Sequence, residues 1–209
     1  RLDFFEYTLS FNKLDVRLLL SAIRYLSGRR LPSIHQMLGA DGEVPAEELN
    51  KNIFKWLYKN KDNQFFMFIN YFDAHAPYNL GKEYKSQFTN ETRDYREVEE
   101  TTITFKRYKN FSPDLIDYMI AIYDTELFYL DNHLKQLFDK LEELGIKDNT
   151  IIIITADHGE EFYEHGGFQH TRTLYEEVMH VPLIIHYPKR FQAQRIETRV
   201  GTIDIFSTI

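Results

Sequence analysis

The chain has 209 residues, a formal net charge of −7, no cysteine and 15% aromatic residues. This composition can build a packed core and excludes intrinsic disorder for most of the chain. The acidic balance argues against a nucleic-acid partner, and the lack of cysteine excludes disulfides and a cysteine nucleophile. The longest unbroken apolar run has six residues, whereas a membrane-spanning helix needs about 20.

Two segments of the chain have strong helical signals. Residues 45–60 start with a proline, carry two glutamates in the first turn and have apolar residues at helical spacing. Residues 112–144 start with Ser-Pro-Asp and keep a helical apolar period as far as Gly145, with a kink or break near Tyr123 to Glu126 as the alternative to one long helix. Residues 14–26 have a weaker helical pattern, and the polar residues 79–111 predict a surface excursion.

Three apolar runs predict buried strands at residues 65–71, 149–156 and 181–187. With the helices they give the order helix, strand, long helix, strand, loop, strand. This alternation predicts an α/β fold whose layers cover a mostly parallel sheet. Ligands of such sheets bind beyond the carboxyl ends of the strands, so the residues that follow each run are the first candidates for a site.

Asp157 and His158 directly follow the second of these strands. A turn at Gly159 can aim both side chains at one metal ion, because glycine adopts backbone conformations that other residues avoid. A carboxylate with an imidazole favours Zn²⁺ or Mn²⁺ over Ca²⁺ or Mg²⁺. The alternative is a loop in which His158 is simply hydrogen-bonded, and the D-H-G pattern alone does not decide between the two.

Two further histidines are candidates for the site. His170 follows a Gly-Gly pair that lets the chain fold back, so it can complete a metal site or donate to an oxyanion. His75 follows the first strand, in the segment FDAHAPY, and can hold a charged ester oxygen or protonate a leaving group. The alternative is a polar surface loop for His170 and a histidine hydrogen-bonded to the backbone for His75. Glu161 and Glu164 are predicted to be solvated residues of a surface loop.

The residues from Tyr123 to Ile185, with NTIIIITADHGEEFYEHGGFQH at their centre, resemble the sulfatase family of the alkaline phosphatase superfamily. Residues 45–78 and the closing GTIDIFSTI are similar to other segments of the same family, in the same order. The resemblance implies a three-layer αβα domain of the alkaline phosphatase type. Residues 1–209 are then expected to form a single, incomplete domain of this kind.

The resemblance also implies roles for single residues. Asp157 and His158 match the metal-binding pair of the family, for which the family implies Ca²⁺ or Mg²⁺. His75 matches a histidine that contacts the sulfate or the leaving group, and His170 matches a position that contacts the ester oxyanion. Arg172 lies one residue past the position of a substrate-binding lysine in some members, so it is a further candidate for substrate binding.

The chain departs from the family at the nucleophile. Sulfatases carry a C/S-x-P-S-R motif with a pair of acidic metal ligands before it, and neither is present here. Residues 30–34 read RLPSI, which keeps only the inner Pro-Ser. We therefore expect the later part of a longer catalytic domain, inactive alone, with an uncovered sheet edge that favours self-association.

These observations predict a metal-dependent hydrolase of small-molecule sulfate or phosphate esters, with the nucleophile outside this chain. One alternative is a phosphoglycerol- or phosphoethanolamine-type transferase of the same superfamily. Another is a sulfatase-like binding domain without catalysis, which the missing nucleophile favours and the clustered histidines oppose. None of the three predictions includes a nucleic acid or a membrane span.

Overall fold

The computed structural model describes residues 44–76, 78, 84, 88–89, 111–170 and 172–209, together with the backbone of residues 3–7. The chain divides into two compact units, which are Arg1–Leu80 with Asp124–Lys140, and Gly81–Tyr123 with Leu141–Ile209. The predicted helix at 14–26 and almost all of the predicted excursion at 79–111 lie outside the described residues.

The first unit contains a parallel strand pair and a helix. Strand β1 (Asp3–Tyr7) pairs with strand β2 (Phe65–Ile69) from end to end, so that the first residues of the two strands face each other. Helix α1 (Ala46–Asn60) buries the apolar face that its spacing predicts. The largest buried apolar side chains of this helix, each at most 1% exposed, are Leu49, Ile53 and Leu57.

Helix α2 (Pro113–Glu143) supplies residues to both units. Its start is the predicted one, since Ser112 Oγ accepts the N–H of Leu115 at 3.3 Å. Gly145 follows its last turn with a φ of +70°, a conformation that favours glycine. The prediction of one long helix is therefore confirmed, with 31 residues. Neither α2 nor any other described helix is long and apolar enough to cross a membrane.

The second unit contains two antiparallel strand pairs. Strand β3 (Ile152–Thr155) pairs with β6 (Leu183–His186), and β4 (Glu161–Phe162) forms a short hairpin with β5 (Phe168–Gln169). The short helical elements of this unit are a 3₁₀ turn at Lys147–Asn149, helix α3 (Glu176–Met179), a second 3₁₀ turn at Thr202–Asp204 and helix α4 (Ile205–Thr208).

The three predicted strands are present, but the prediction of a mostly parallel sheet is not met within the described residues. Only β1 and β2 are parallel, while β3 and β6 run antiparallel. An apolar run looks the same in either direction, so the sequence indicated strands without their direction. The described residues between β3 and β6 form a short hairpin and one helical turn, whereas a parallel connection needs a longer crossover, usually a helix.

Candidate functional site

Backbone hydrogen bonds hold the D-H-G segment immediately after β3. The N–H of Gly159 donates to the carbonyl of Val178 at 2.8 Å, and the N–H of Glu160 donates to the carbonyl of Glu177 at 3.0 Å. Strand β3 fixes the chain before Asp157, and these two bonds fix it after His158. Both side chains therefore project from a backbone that is anchored on either side.

Asp157 and His158 place two metal-binding atoms close together. Asp157 Oδ1 lies 3.8 Å from His158 Nε2. Two ligand atoms that bind the same Zn²⁺ at about 2.0–2.2 Å are at most about 4.4 Å from each other, which is twice the bond length. The longer bonds of Ca²⁺ allow a wider separation. The Asp157 side chain is 61% exposed, so an ion can reach the pair from solvent. The two residues therefore fit a divalent metal.

A second contact orients the imidazole of His158 for this purpose. Nδ1 of His158 lies 2.8 Å from the carbonyl oxygen of Gly159. A carbonyl oxygen only accepts hydrogen bonds, so Nδ1 carries a proton, and in the neutral ring Nε2 then carries the lone pair. Metal-bound histidines usually donate their other ring N–H to a carbonyl or carboxylate in this way. The lone pair thus belongs to the nitrogen that lies within 3.8 Å of Asp157.

His170 lies against His158, as the preceding Gly-Gly pair predicts. The two rings stack with centroids 3.7 Å apart and an angle of 26° between their planes. Nδ1 of His170 lies 3.0 Å from Oε2 of Glu160, whose side chain is only 5% exposed. Possible metal-binding atoms of His158, Glu160 and His170 all lie within 4.8 Å of one another. Glu160 was not predicted as a site residue, because acidic residues in a polar loop usually face water.

Glu161 is not solvated, and the prediction for this residue is wrong. Its side chain is one of the most deeply buried of the described residues, with the whole residue 1% exposed. Its carboxylate accepts hydrogen bonds from the N–H groups of Gly167 and His165, at 2.8 and 3.3 Å, and from the hydroxyl of Thr173 at 3.1 Å. Glu164 is exposed as predicted. The two glutamates differ because loop N–H groups need buried acceptors, which a polarity pattern does not reveal.

A second group of possible metal-binding atoms lies at the hairpin formed by β4 and β5. Glu161, His165 and Glu177 have donor atoms within 4.8 Å of one another. His165 Nδ1 lies 2.6 Å from Glu177 Oε1, and the His165 ring stacks on Tyr175 at 3.5 Å. Burial acts to raise the pKa of Glu177, but its own backbone N–H and the His165 imidazole outweigh it, so the pKa of this carboxyl lies below its usual value. These contacts tie helix α3 to the hairpin.

His75 belongs to the first unit and lies in a tight turn after β2. Its N–H donates to the carbonyl of Phe72 at 3.0 Å, its Nδ1 lies 2.5 Å from the carbonyl of Ala76, and its ring packs on Phe72 at 4.5 Å. Ala74 has a φ of +75°, in the left-handed region. Asp73 Oδ1 accepts the N–H of Ala46 at 3.3 Å, and so caps helix α1. Arg172, the remaining candidate, is exposed in the second unit.

A carboxylate and an imidazole that can share a divalent ion, with a second histidine against them, form a candidate metal site of the kind that ester hydrolysis uses. A sequence model of one family, described as Sulfatase, matches residues 5–209. The chain therefore belongs to the sulfatase family, and the resemblance inferred from the sequence is confirmed.

Known relatives cover parts of this chain. The N-acetylglucosamine-6-O-sulfatase of Bacteroides thetaiotaomicron is 30% identical over 119 residues, which are 56% of this chain and 20% of that protein. The iduronate 2-sulfatase of Homo sapiens is 24% identical over 179 residues, covering 72% of this chain and 32% of that protein. The crystal structure of a phosphonate monoester hydrolase of Agrobacterium radiobacter matches with a TM-score of 0.56 at 20% identity, over 83% of this chain and 41% of that one. The chain thus spans a third or less of the length of these two sulfatases, and its likeness to the hydrolase is one of fold.

Proposed function

We propose that this chain is part of the catalytic domain of a metal-dependent hydrolase of sulfuric esters, with phosphoric esters as the second substrate class. Membership of the sulfatase family supports the reaction class. The observation that carries the proposal is the 3.8 Å separation of Asp157 Oδ1 and His158 Nε2, with Nδ1 of His158 held by the Gly159 carbonyl. In this proposal Asp157 and His158 are the metal ligands that this chain contributes.

The bound metal would polarise the ester and lower the pKa of a nucleophile that lies outside this chain. By resemblance to the family the ion is Ca²⁺ or Mg²⁺, whereas a carboxylate–imidazole pair is more typical of Zn²⁺ or Mn²⁺. The family supports the former more strongly, because the acidic ligands that sulfatases carry upstream would add oxygen donors to the site.

His170 is proposed to contact the ester oxygens. Its Nδ1 is held by Glu160, so Nε2 is the atom that would meet the substrate. His75 is proposed to contact the sulfate or the leaving group, and its Nδ1 is likewise held by a carbonyl, that of Ala76. Arg172 is exposed, as a side chain that binds an anionic substrate from solvent would be. These three roles rest on the resemblance to the family together with these local contacts.

The complete domain is proposed to have three αβα layers around a mostly parallel sheet, of which residues 1–209 are part. The likeness of fold to the phosphonate monoester hydrolase structure supports an architecture larger than this chain. The described strands expose large apolar side chains, among them Ile184 of β6, which is 54% exposed. We therefore expect the isolated chain to self-associate, and sedimentation analysis that finds only monomer would contradict this expectation.

The metal site is tested in the full-length protein by Asp157→Ala and His158→Ala, with Asp131→Ala on the exposed face of α2 as the matched control. We expect about one equivalent of divalent metal in the wild type and the control, and its loss in both site variants, measured by elemental mass spectrometry after dialysis. Unchanged metal content in Asp157→Ala would contradict the proposal.

Substrate turnover separates the reaction classes. An aryl sulfate, an aryl phosphomonoester and an aryl phosphodiester are compared on the metal-loaded full-length protein. Preference for the aryl sulfate supports the sulfatase proposal, whereas turnover of the phosphodiester alone favours a transferase of the same superfamily. Metal retention without hydrolysis of any of the three esters favours a binding domain.

A further inference from the structure

We infer that Glu161 is a positioning residue for His170. Its buried carboxylate accepts hydrogen bonds from both sides of this histidine, within residues 163–170 and 172–173, which we call the histidine loop. The inference rests on the proposed role of His170 in binding the ester. The hydrogen bonds of the Glu161 carboxylate go to His165, Gly167 and Thr173, so its effect on His170 passes through the backbone of the loop.

The carboxylate of Glu161 accepts hydrogen bonds from three groups, which lie on both sides of His170 in the sequence. Before His170, the N–H groups of Gly167 and His165 lie 2.8 and 3.3 Å from Oε1 of Glu161. After His170, the hydroxyl of Thr173 lies 3.1 Å from Oε2 of Glu161. Burying a carboxylate is unfavourable unless hydrogen bonds to its oxygens compensate for the lost water. Since Glu161 is 1% exposed, its charge is compensated by these donors of the histidine loop.

Gly167 has to be a glycine for this contact to form. A Cβ atom on Gly167 would lie 2.8 and 2.9 Å from the two carboxylate oxygens of Glu161, closer than real Cβ contacts come. Its neighbour Gly166 has open space around it but a φ of +84°. The Gly-Gly pair therefore has two separate purposes, a left-handed turn at the first residue and a close approach of the backbone to Glu161 at the second.

The loop is strained immediately before His170. Gln169 has a φ of +68° and Tyr163 a φ of +76°, and a left-handed conformation is unfavourable for a residue with a side chain. Such conformations persist only where the surroundings impose them. Tyr163 donates its N–H to the carbonyl of Gly167 at 2.8 Å, and the ring of Phe111 packs on Tyr163 and Phe168 at 5.2 and 4.8 Å. With Glu161, these contacts hold Gln169 in place and so set where the ring of His170 points.

The result of this arrangement is the placement of the His170 ring on His158, with Nδ1 at Glu160. Glu160 and Glu161 are adjacent and act on the same histidine by different routes. Glu160 bonds to the ring, whereas Glu161 fixes the backbone that presents the ring. Glu161, His165 and Glu177 do not need a metal ion to explain why they lie together, because the oxygens of Glu161 already accept three hydrogen bonds.

A double-mutant cycle in the metal-loaded full-length protein tests this inference. The variants are Glu161→Gln, His170→Ala and the double variant, with Glu164→Gln as control, since Glu164 is an exposed carboxylate of the same loop that also accepts one backbone N–H, from Phe162 at 2.6 Å. We expect Glu161→Gln to lower kcat/KM about 10- to 100-fold, because a misplaced contact group costs that much. Glu164→Gln should change it less than about twofold.

The decisive result is the double variant. If Glu161 acts through His170, adding Glu161→Gln to His170→Ala lowers kcat/KM no further, while a general structural role gives multiplied losses. Multiplied losses would overturn the inference. So would loss of bound metal in Glu161→Gln, because the effect would then lie at Asp157 and His158.

A separate readout keeps the inference distinct from the proposed function. Nitrogen NMR of protein labelled only at histidine reports the ring of His170, identified by its absence in His170→Ala. Glu161→Gln is expected to shift this ring resonance and Glu164→Gln to leave it in place. If the wild type hydrolyses none of the esters, the proposed function fails, and an unshifted His170 signal in Glu161→Gln would overturn the positioning role by itself.

Discussion

The backbone carbonyl oxygen of Glu177 lies only 2.0 Å from the position that a Cβ atom would take on Gly159. The N–H of Gly159 donates to the next carbonyl, that of Val178, at 2.8 Å. Two backbones therefore meet at the residue that follows His158, and only a residue without a side chain fits. Freedom of the backbone was the predicted reason for this glycine, but Gly159 is not among the described residues with a positive φ.

Gly159→Ala is expected to lower the free energy of unfolding by about 1–3 kcal/mol, because the added methyl group meets a backbone atom that cannot rotate away. Denaturant titration of the full-length protein measures this loss. The matched control is Gly201→Ala, where the nearest atom would be the Ile203 Cγ2 at 3.3 Å, the end of a side chain that can move. Equal losses in the two variants would contradict the steric role of Gly159.

Asn50→Ala tests a buried polar bridge in the first unit. Asn50 is 1% exposed, accepts the hydroxyl of Tyr71 at 2.6 Å and donates to the carbonyl of His133 at 2.8 Å. Burial raises the pKa of the Tyr71 phenol, so the hydroxyl stays protonated and needs an acceptor. Removing this acceptor is expected to cost about 1–3 kcal/mol of unfolding free energy.

The control for this bridge is Asn52→Ala on the same helix. The side chain of Asn52 donates to the carbonyl of Glu48 at 3.2 Å in an exposed bond, so its removal should change stability by less than about 0.5 kcal/mol. Thermal or denaturant unfolding of the two variants side by side measures the difference. A loss in Asn52→Ala as large as that in Asn50→Ala would remove the case for the bridge.

Asp73 is expected to make the stability of the protein depend on pH. Burial raises the pKa of this carboxyl above its ordinary 3.8, and the hydrogen bond from Ala46 and the charge of His133 offset only part of the effect. Below pH 3.8 the carboxyl is protonated in both states and has no effect. As the pH rises from 3.8 through the raised pKa, the unfolded state ionises first, and the folded state loses stability.

Asp73→Asn removes this loss, because the amide stays neutral and its oxygen can still accept the N–H of Ala46. The variant is therefore expected to be more stable than the wild type at neutral pH, and the advantage should shrink as the pH falls towards 3.8. Denaturant titrations at several pH values measure the difference. An advantage that does not change with pH would contradict the burial argument.

The sequence predicted the helices and strands of this chain better than their assembly. Helix α2 was predicted almost to the residue, because Ser112 and Gly145 mark its ends by local chemistry. The strand β3 was predicted by its β-branched run, but its antiparallel pairing with β6 depends on how the intervening segment folds. Whether two strands pair parallel or antiparallel depends on the segment that connects them, and an apolar run does not indicate it.

Some residues of the candidate site were also predicted from the sequence, and others were not. Asp157, His158 and His170 were predicted from their place after a strand and after two glycines, and the structure brings them together. Glu160 was not predicted and Glu161 was wrongly predicted to be solvated, because their burial follows from which loop N–H groups and ring nitrogens need an acceptor. That need appears only once the histidine loop has closed on itself.

Ala74→Gly is expected to stabilise the turn that holds His75. Ala74 has a φ of +75°, which costs a residue with a Cβ about 1–2 kcal/mol, while glycine loses about 0.5–1 kcal/mol more conformational entropy on folding. The net expectation is a gain of up to about 1.5 kcal/mol in the free energy of unfolding. Ala76→Gly, two residues along and without a positive φ, should instead lose about 0.5–1 kcal/mol.

Because Asp73 caps helix α1 on one side of Ala74 and His75 follows on the other, the strained residue fixes the direction in which the histidine leaves the turn. If His75 contacts the ester as proposed, Ala74→Gly in the full-length protein should lower kcat/KM while raising stability, since glycine allows the turn more conformations. Denaturation and turnover of an aryl sulfate, measured on the same preparations, check both effects. Loss of stability in Ala74→Gly equal to that in Ala76→Gly would show that the left-handed conformation carries no strain.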